Sequence, residues 1–549
     1  MSAEMDAGLI AGLLSVTPGW AGLEETIGLE PDDTAMILAE AWRLGEDLLD
    51  PMAARADEEG CRIENGRLLT PEGYAEAFAR LGADGWLAAD LPESVGGQGL
   101  PTTLHAAASL GFEGAAMPFM MLAGSTRAAA HCLLAAAPDL AESWAPKLAS
   151  GEWAATICIS EPDAGSDVGR IRAKAEDRGD HWRITGQKCW ISFGDQDMTS
   201  RIGHLCLART GAPQEGTRGL TLFLVPDVLD DGSRNAIRLE RIEEKLGLHG
   251  SPTCVLSFEG AEAQMLGEAG RGLPTLFRMI ELMRLQTGCQ GAGIALRSAA
   301  LARRYAAERL QGGRPDAPPV PILAHPDVRR QLLDIESRAA LLVALVLEAA
   351  VAADQARAGD PAAELRQAFL LPLAKNFGGE GAFETASGAV QVLGGAGYTR
   401  EWPAERYLRD ARIITIYEGT TGMQAQDFLV RRLLKDGGQS LGAFLQAARA
   451  ELAEAPPGAE QATAILDRFE ALARRLMASD ASMAERLGQA DGYLRAGYAA
   501  LTALLATRLA RVSDRGAAWA RYRLHFADAE LYAAETACAL APDLLAEAG

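Results

Sequence analysis

The chain has 549 residues, of which 48% are hydrophobic and 23% charged, a composition typical of a soluble globular protein with more than one hydrophobic core. Its formal net charge of -22 disfavours nucleic-acid binding through phosphate neutralisation. The eight cysteines form no C-x-x-C pair and the seven histidines do not cluster, so we predict reduced thiols, a cytoplasmic location and no metal site.

Two features bear on membranes and export. The N-terminal sequence MSAEMDAG has no basic region followed by a long apolar core, so it predicts no secretory signal. The longest apolar run, Ala339–Leu347, stops at Glu348 and is too short to span a bilayer. We therefore predict a buried helix there and no membrane span.

Residues 1–152 predict an N-terminal helical domain. From Leu9 to about Gly151, apolar residues recur at three- and four-residue spacing, and several stretches are rich in alanine. The segment Pro92–Pro101 contains two prolines and three glycines, so it cannot be a helix interior and predicts a loop between helices. A plain connection needs no function of its own.

Residues 153–272 predict a middle β domain. Short apolar runs with β-branched residues are separated there by Gly, Asp and Pro. The predicted strands are Ala154–Ile159, His181–Thr185, Ile202–Ala208, Leu220–Val225 and Thr253–Phe258.

Helical periodicity returns in residues 273–437, which predict a third domain, interrupted by a loop at Gln311–Pro321 that is rich in proline and glycine. A helix is predicted to begin after His325, with proline in its first turn, and we interpret His325 as structural. Residues 438–549 predict an additional C-terminal helical domain, in which Pro456–Gly458 separates two helices.

Two segments of the β region combine polar side chains with tight turns. Cys158–Asp167, CISEPDAGSD, offers hydroxyl and backbone N–H groups that can bind a heteroaromatic ring edge or phosphate oxygens. Lys188–Gly194, KCWISFG, places Trp190 near the end of a strand. Taken alone, the first segment is better explained by an ordinary β-turn and the second by a core tryptophan.

A single carboxylate, Glu418, lies between an apolar run and Gly419. Apolar surroundings remove solvation from a carboxylate, which raises its pKa and makes it a better base towards a weakly acidic C–H. Glycine lets the backbone turn tightly beside a ligand. A solvated loop glutamate is the alternative, and a surface arginine is the alternative for Arg284.

The order of these segments resembles the acyl-CoA dehydrogenase family, over roughly residues 65–437 and most closely its larger members. The match includes Gly-Gly-x-Gly-Tyr from Gly394, Arg-Asp-Ala-Arg from Arg409 and Tyr-Glu-Gly-Thr from Tyr417. The resemblance implies a mainly α fold with an inserted β-barrel-like domain, a four-helix bundle that carries the base, and the extra C-terminal helical domain.

The resemblance also implies roles for individual residues. Glu418 is the base that removes the proton alpha to a thioester, and Arg284 supports the loop that bears it. Ser166 and Gly419 are implied in substrate binding. The backbone N–H of Glu418 and a ribityl hydroxyl of FAD are implied as donors to the thioester oxygen. The implied contacts to FAD come from Cys158, Ser160, Ser166, Trp190, Ser192, Arg309, Gln391, Gly394, Gly395 and Thr420.

The chain departs from the family's pattern at four positions. Ser160 replaces the usual threonine but keeps the hydroxyl, and Met283 occupies the position where some members carry their base. Gly422 stands in place of a frequent glutamine. The usual Phe-Gly after Gln311 is missing, which weakens the expectation that Arg309 contacts the FAD of a neighbouring subunit.

The predicted function is FAD-dependent dehydrogenation of an acyl-CoA to the trans-2-enoyl-CoA, with Glu418 as base and flavin N5 as hydride acceptor. Electron-transfer flavoprotein is the expected electron acceptor, and the extra C-terminal domain favours a homodimer. Two alternatives are an acyl-CoA oxidase that uses oxygen and a non-catalytic flavoprotein scaffold. The joint presence of Glu418, Ser160 and Trp190 disfavours the scaffold.

Overall fold

The computed structural model describes residues 3–548, and it is mostly helical with one large sheet. The α-helices are α1 Ala3–Ser15, α2 Trp20–Thr26, α3 Pro31–Leu44, α4 Asp50–Glu59, α5 Tyr74–Ala83, α6 Thr102–Ala136, α7 Pro138–Ala149, α8 Gly272–Glu308, α9 Pro326–Arg357, α10 Pro361–Leu393, α11 Ala404–Ala411, α12 Thr421–Gln426, α13 Gln439–Leu452, α14 Ala459–Ala478, α15 Met483–Gly488, α16 Ala490–Val512 and α17 Asp514–Ala548. The strands are β1 Arg62–Glu64, β2 Arg67–Leu69, β3 Trp153–Cys158, β4 Lys174–Asp177, β5 Trp182–Ser192, β6 Arg201–Arg209, β7 Leu220–Pro226, β8 Ile237–Ile242 and β9 Thr253–Leu266.

The chain forms two compact units. The sheet unit comprises Gly45–Leu100 and Ala116–Met283, and the helical unit comprises the residues up to Leu44, Pro101–Ala115 and the chain from Arg284 onward. Helix α6 belongs to both, and its backbone leaves the helical conformation at Ala116 (φ -145°, ψ 54°). These units differ from the four predicted domains, whose boundaries remain a prediction.

The sheet unit contains a seven-stranded sheet in the order β3-β6-β4-β5-β9-β7, with β8 also paired to β9 and β7 also paired to β6. Strand β6 runs parallel to β3 and β4, and the other pairs are antiparallel. Side chains such as Cys206, Phe223 and Phe258 are fully buried in its core. All five predicted strands are present, and those from His181 and Thr253 extend to Ser192 and Leu266.

Three structural features were missed from the sequence. Strand β4, KAED, carries mostly exposed charged side chains and is defined by its pairing with β5. Strand β8 is only partly buried. The hairpin β1–β2 interrupts the predicted helical region, and its turn is Asn65-Gly66, both at positive φ (51° and 75°). Asn-Gly favours such two-residue turns, so this signal was available in the sequence.

The predicted loops and the buried helix agree with the structure. His325 precedes α9, Pro326 is its first residue, and His325 Nε2 donates to Gln311 O (2.9 Å), consistent with a structural role. The run Ala339–Leu347 lies fully buried within α9. Helices α6 and α9 are long and apolar enough to cross a membrane, but 94% and 83% of their most apolar windows are buried in the protein, as in core helices.

The C-terminal helices pack against the rest of the helical unit. Arg508 on α16 is buried and bonds Glu348 on α9 (2.8 Å) and Glu451 on α13 (2.7 Å). Phe369 on α10 stacks on Phe444 of α13, with ring centroids 4.4 Å apart. Buried ion pairs and aromatic contacts therefore fix the added helices to the helices that precede them.

Candidate functional site

Strand β5 carries a bulge at Trp190. Lys188 pairs with Leu256 and Ile191 with Cys254, so three steps on β5 oppose two on β9. Trp190 has a φ of 63° and is 61% exposed. A bulge re-aims a side chain and interrupts regular pairing. The exposure excludes the core interpretation of this tryptophan and presents the face or edge of an indole at the surface of the sheet unit.

The segment that follows β3 is tied to β5 beside this bulge. The backbone N–H of Cys189 donates to Ser160 O (3.0 Å), which brings the Ser160 and Trp190 segments together. Ser160 and Ser192 are both half-buried. The Cys158 thiol, in contrast, is fully buried in the core of the sheet. Cys158 could therefore contact a cofactor only through its backbone.

A buried ion pair holds the same segment in place. Lys188 Nζ donates to Glu161 Oε1 (2.8 Å) and to Ile159 O (2.9 Å). Glu161 also accepts hydrogen bonds from the backbone N–H groups of Arg172 and Ala173. Both charges are satisfied within the fold, so the pair positions the loop backbone. The exposed Trp190 and the hydroxyls of Ser160 and Ser192 are then the groups that could contact a ligand.

These features fit a planar heteroaromatic cofactor. An exposed indole offers a flat apolar surface, and nearby hydroxyl groups can bond polar ring atoms. Ser166 is exposed on the loop after the Glu161 turn. The chemistry of this side-chain set suits a flavin better than a metal, and within residues 3–548 no group of three or more His, Cys, Asp or Glu side chains is placed to hold a metal ion.

In the helical unit, Glu418 lies on a strained loop before α12. Glu418 and Gly419 both have positive φ, 53° and 92°. A positive φ is unusual for glutamate and is tolerated where surrounding contacts enforce it. Those contacts include a hydrogen bond from Gln424 Nε2 to Glu418 O (3.0 Å) and the Thr420 side chain, which caps α12 by accepting from Met423 N.

The Glu418 carboxyl is half-buried among charged groups. Burial raises its pKa, while the positive charges of Arg284 and Lys375 act in the opposite direction. Arg284 is not a surface arginine: its side chain is 13% exposed and its Nη1 donates to Asp427 Oδ2 (3.1 Å). The arginine therefore acts on Glu418 through its charge and is held by a π-helical segment, Asp427–Lys435.

A buried polar network lies next to this loop. The hydroxyl of Tyr417 donates to Gln290 Oε1, and burial raises the pKa of this tyrosine. Gln286 donates to Glu113, whose side chain is fully buried on α6. Burial raises the pKa of Glu113 to about 8, although the hydrogen bonds with Gln286 and Gln290 oppose that rise. Glu113 is therefore mostly a neutral acid at pH 7.

The remaining predicted cofactor residues of the helical unit are exposed. Arg309 follows the end of α8, and Gln391 lies in the last turn of α10. Gly394 and Gly395 follow it, and a Cβ at either would meet nothing within 4 Å, so their backbone is open to a ligand. The structure does not group these residues with Glu418. Met283, at the alternative base position, is a buried apolar side chain.

Two functional features were missed from the sequence. One is Lys375, which is fully buried and donates from Nζ to Gly419 O (2.5 Å). Its signal was a single cation in the otherwise uncharged stretch Leu370–Phe377, since lysine is almost never fully buried without a partner. The other is Glu113, which carried the same signal, because it is the single Asp, Glu, Lys or Arg in the stretch Thr102–Thr126.

Comparison with known protein families identifies three matching models. Residues 31–152 match the acyl-CoA dehydrogenase N-terminal domain, residues 156–261 the middle domain and residues 270–434 the C-terminal domain. Together they account for more than half of the chain.

A characterised relative is similar over most of its length. The chain is 37% identical, over 83% of its own residues and 80% of the relative, to 3-methylmercaptopropionyl-CoA dehydrogenase of Ruegeria pomeroyi. The motifs predicted a resemblance to the larger members of the family, and this relative is one of them.

Two solved structures extend the comparison. A structure of Caenorhabditis elegans ACDH-11 in complex with C11-CoA has a TM-score of 0.77 and 21% identity, covering 91% of this chain and 89% of that one. A structure described under the electron transferring flavoprotein of Acidaminococcus fermentans has a TM-score of 0.63 and 25% identity, covering 73% of this chain and 98% of that one. The larger coverage of the first indicates that its fold includes counterparts of the C-terminal helices.

Proposed function

The chain belongs to the acyl-CoA dehydrogenase family, and from that premise we propose that it converts an acyl-CoA thioester to the trans-2-enoyl-CoA with Glu418 as the base. It is an FAD-dependent acyl-CoA dehydrogenase, as its family and relatives are. The observation that carries the proposal is the half-buried Glu418 carboxyl, whose pKa is raised by burial and which a strained loop holds in place.

Glu418 would remove the proton alpha to the thioester carbonyl. A carboxylate in low dielectric is a stronger base towards a C–H bond than one in water, and Arg284 and Lys375 limit how far its pKa rises. The backbone N–H of Glu418 is the proposed donor to the thioester oxygen, where negative charge develops. Bound FAD supplies, at N5, the acceptor for the hydride that leaves the beta carbon.

The exposed Trp190 would orient the flavin and shield it from water, and Ser160 and Ser192 would bond its polar edge. Ser166 and Gly419 are proposed to contact substrate. By resemblance, Gln391, Gly394 and Gly395 are proposed to contact the pyrophosphate and adenosine part of FAD, and Ser166 the pyrophosphate or the substrate. Cys158 and Thr420 are proposed FAD contacts without an assigned part of the cofactor, and the proposed contact of Arg309 is to the FAD of a neighbouring subunit.

The test is an anaerobic absorbance experiment on the FAD-loaded enzyme with a panel of acyl-CoAs. Glu418→Gln keeps the shape but cannot accept the proton, so we expect FAD to stay bound while its reduction slows by at least about a thousandfold. Glu401→Gln, an exposed glutamate earlier in the same segment, is the matched control and should behave as wild type. Near wild-type reduction in Glu418→Gln would overturn the assignment of the base.

We also propose electron-transfer flavoprotein as the physiological electron acceptor. The fold is similar to a structure described under an electron transferring flavoprotein, which supports such a partner. Turnover in air should then produce little peroxide and should increase on addition of electron-transfer flavoprotein. Peroxide formed at the full turnover rate would instead make the chain an acyl-CoA oxidase.

The assembly, the location and two details of the fold are also proposed. A homodimer in the cytoplasm is expected, and a tetramer in light scattering would contradict the dimer. The pairing of β7 with both β9 and β6 supports barrel-like closure of the sheet. Helices α8, α9 and α10 are proposed members of the four-helix bundle.

A further inference from the structure

Lys375 lies on α10 with its side chain fully buried, and its ammonium is directed at the Glu418 loop. The Nζ–Gly419 O distance is 2.5 Å, a short charge-assisted hydrogen bond. The same carbonyl also faces Gln424 Nε2 at 3.4 Å. Two donors therefore converge on the residue that follows the proposed base.

Close helix packing places this lysine. A Cβ at Gly291 on α8 would lie 2.1 Å from Gly378 O on α10, so the two helix backbones approach as only glycine allows. Arg284 lies about two turns before Gly291, and Lys375 about one turn before Gly378. The two cations are thus fixed on neighbouring helices, and both act electrostatically on Glu418.

Five titratable groups face the loop from the surrounding elements. Arg284 comes from α8 and Lys375 from α10. Asp427 of the π-helical segment pairs with Arg284 (3.1 Å) and also with the exposed Arg431 (3.6 Å). Tyr417 precedes the base, and Glu113 on α6 interacts with that tyrosine. Because Asp427 already pairs with Arg284 and Glu113 is mostly neutral, Lys375 supplies a positive charge that no other carboxylate of this group neutralises.

A buried ammonium is unfavourable unless it is hydrogen-bonded and paired with a negative charge. Burial lowers the pKa of Lys375 to about 8, with Glu418 raising it and Arg284 lowering it further. The lysine and the glutamate therefore stabilise each other's charged forms near neutral pH.

We propose that Lys375 is a positioning residue for Glu418, which holds the loop through the Gly419 carbonyl and places a positive charge beside the carboxylate. The proposal rests on the proposed function of Glu418. It assigns the lysine no contact with substrate or FAD.

The test compares Lys375→Met and Lys375→Arg in the FAD-loaded enzyme, by measuring the rate of flavin reduction by acyl-CoA from the lowest pH at which the protein is stable to about pH 9.5, above the pKa of Lys375. Without the cation, the acid limb of the Met variant should move to higher pH, and a shift of about one pH unit would lower the rate on that limb by up to about tenfold. Above about pH 8 the two profiles should converge, because wild-type Lys375 loses its proton there. The arginine variant keeps the charge and should keep the wild-type midpoint.

Lys435→Met, which removes an exposed lysine of the same unit, is the matched control and should leave the profile unchanged. If Lys375→Met reduces flavin more slowly at every pH but keeps the wild-type midpoint of the pH–rate profile, the proposal is overturned. Lys375 would then contribute only to packing. If the Met variant does not fold, a shifted midpoint in Lys375→Arg would overturn it equally.

A second readout separates this proposal from the function on which it rests. Infrared difference spectra between each protein and its Glu418→Gln form report the protonation of the Glu418 carboxyl without any substrate. The carboxyl should titrate at higher pH in Lys375→Met than in wild type, and equal titration would contradict the proposal. If no acyl-CoA reduces the flavin of the wild type, the proposed function fails while this titration still tests the lysine.

Discussion

The Trp190 segment of the sheet unit and the Glu418 loop of the helical unit share an unusual backbone conformation, but their side chains have different surroundings. Both residues have positive φ, 63° and 53°. Trp190 is 61% exposed, and Glu161 and Lys188 in the adjoining segments form a buried ion pair. Glu418 is half-buried, and the charges around it act on its own carboxyl.

The two regions differ in the role of their charged side chains. In the sheet unit they satisfy each other and fix a surface, so ligand contact is left to an aromatic ring and hydroxyls. In the helical unit they remain coupled to the reacting carboxyl and set its protonation. Loss of a charge should therefore affect stability in the first region and pH dependence in the second.

The largest effect on stability is expected from breaking the buried ion pair between Lys188 and Glu161 in the sheet unit. Lys188→Met leaves Glu161 buried without its counter-ion, which should lower the free energy of unfolding by about 3–5 kcal/mol. Thermal and urea unfolding measure this loss, and Lys174→Met on the exposed face of β4 is the control. A loss below about 1 kcal/mol would show that the pair is not the support described above.

The helical unit should instead show a pH-dependent effect at Glu113. A carboxyl whose pKa is raised from 4.5 to about 8 on folding stabilises the protein below pH 4.5, and that stabilisation is lost as pH rises to about 8. Relative to Glu113→Gln, wild type should lose up to about 1.4 kcal/mol per pH unit within this window.

Urea unfolding at several pH values measures the difference between the two proteins. The control is Glu364→Gln, which removes an exposed carboxyl on α10. A difference between wild type and Glu113→Gln that does not change with pH would mean that Glu113 is not held neutral in the folded protein.

A smaller loss of stability is expected at Gly419. An alanine there must adopt a φ of 92°, and its Cβ would lie 2.8 Å from Gln424 Nε2. The strain should lower the free energy of unfolding by about 1–2 kcal/mol. Because the loop must shift, flavin reduction should fall more than FAD binding. Gly422→Ala in α12, which meets no close contact, should keep both, and equal behaviour of the two variants would contradict the strained loop.

The smallest effect on stability should come from Trp190→Ala, with a change below about 0.5 kcal/mol because the side chain is exposed. FAD content after gel filtration should nevertheless fall. Trp182→Ala removes a ring whose centroid lies 5.3 Å from that of Phe223. This variant should have a lower free energy of unfolding but an unchanged FAD content. Retention of FAD by Trp190→Ala would argue against the proposed flavin contact.

The sequence predicted most of the fold where periodicity was strong. All five predicted strands and the helix after His325 were found, because alternation and proline position are local signals. Strand β4 was missed because its charged residues have no apolar pattern and its conformation depends on a distant partner. The Asn65-Gly66 hairpin was missed although its turn signal is local.

The candidate site could be predicted only in part. Motif order predicted Glu418, Arg284, Ser160 and Trp190, but not the buried Lys375 and Glu113 beside the base. Lys375 lies 43 positions before Glu418, and Arg284 lies far earlier still, so only tertiary packing brings them to the loop. The bulge at Trp190 likewise depends on the register of β5 against β9, which no single segment encodes.

The Arg508 cluster has a consequence for how this chain can be shortened. A chain ending after Lys435, at the length of smaller family members, would lack both Arg508 and Glu451 and would leave Glu348 in α9 without its counter-ion. It would also uncover Phe369. Such a fragment should aggregate during expression. We therefore expect the helices after Lys435 to be required for folding, and we expect proteolytic removal of these helices to inactivate the protein.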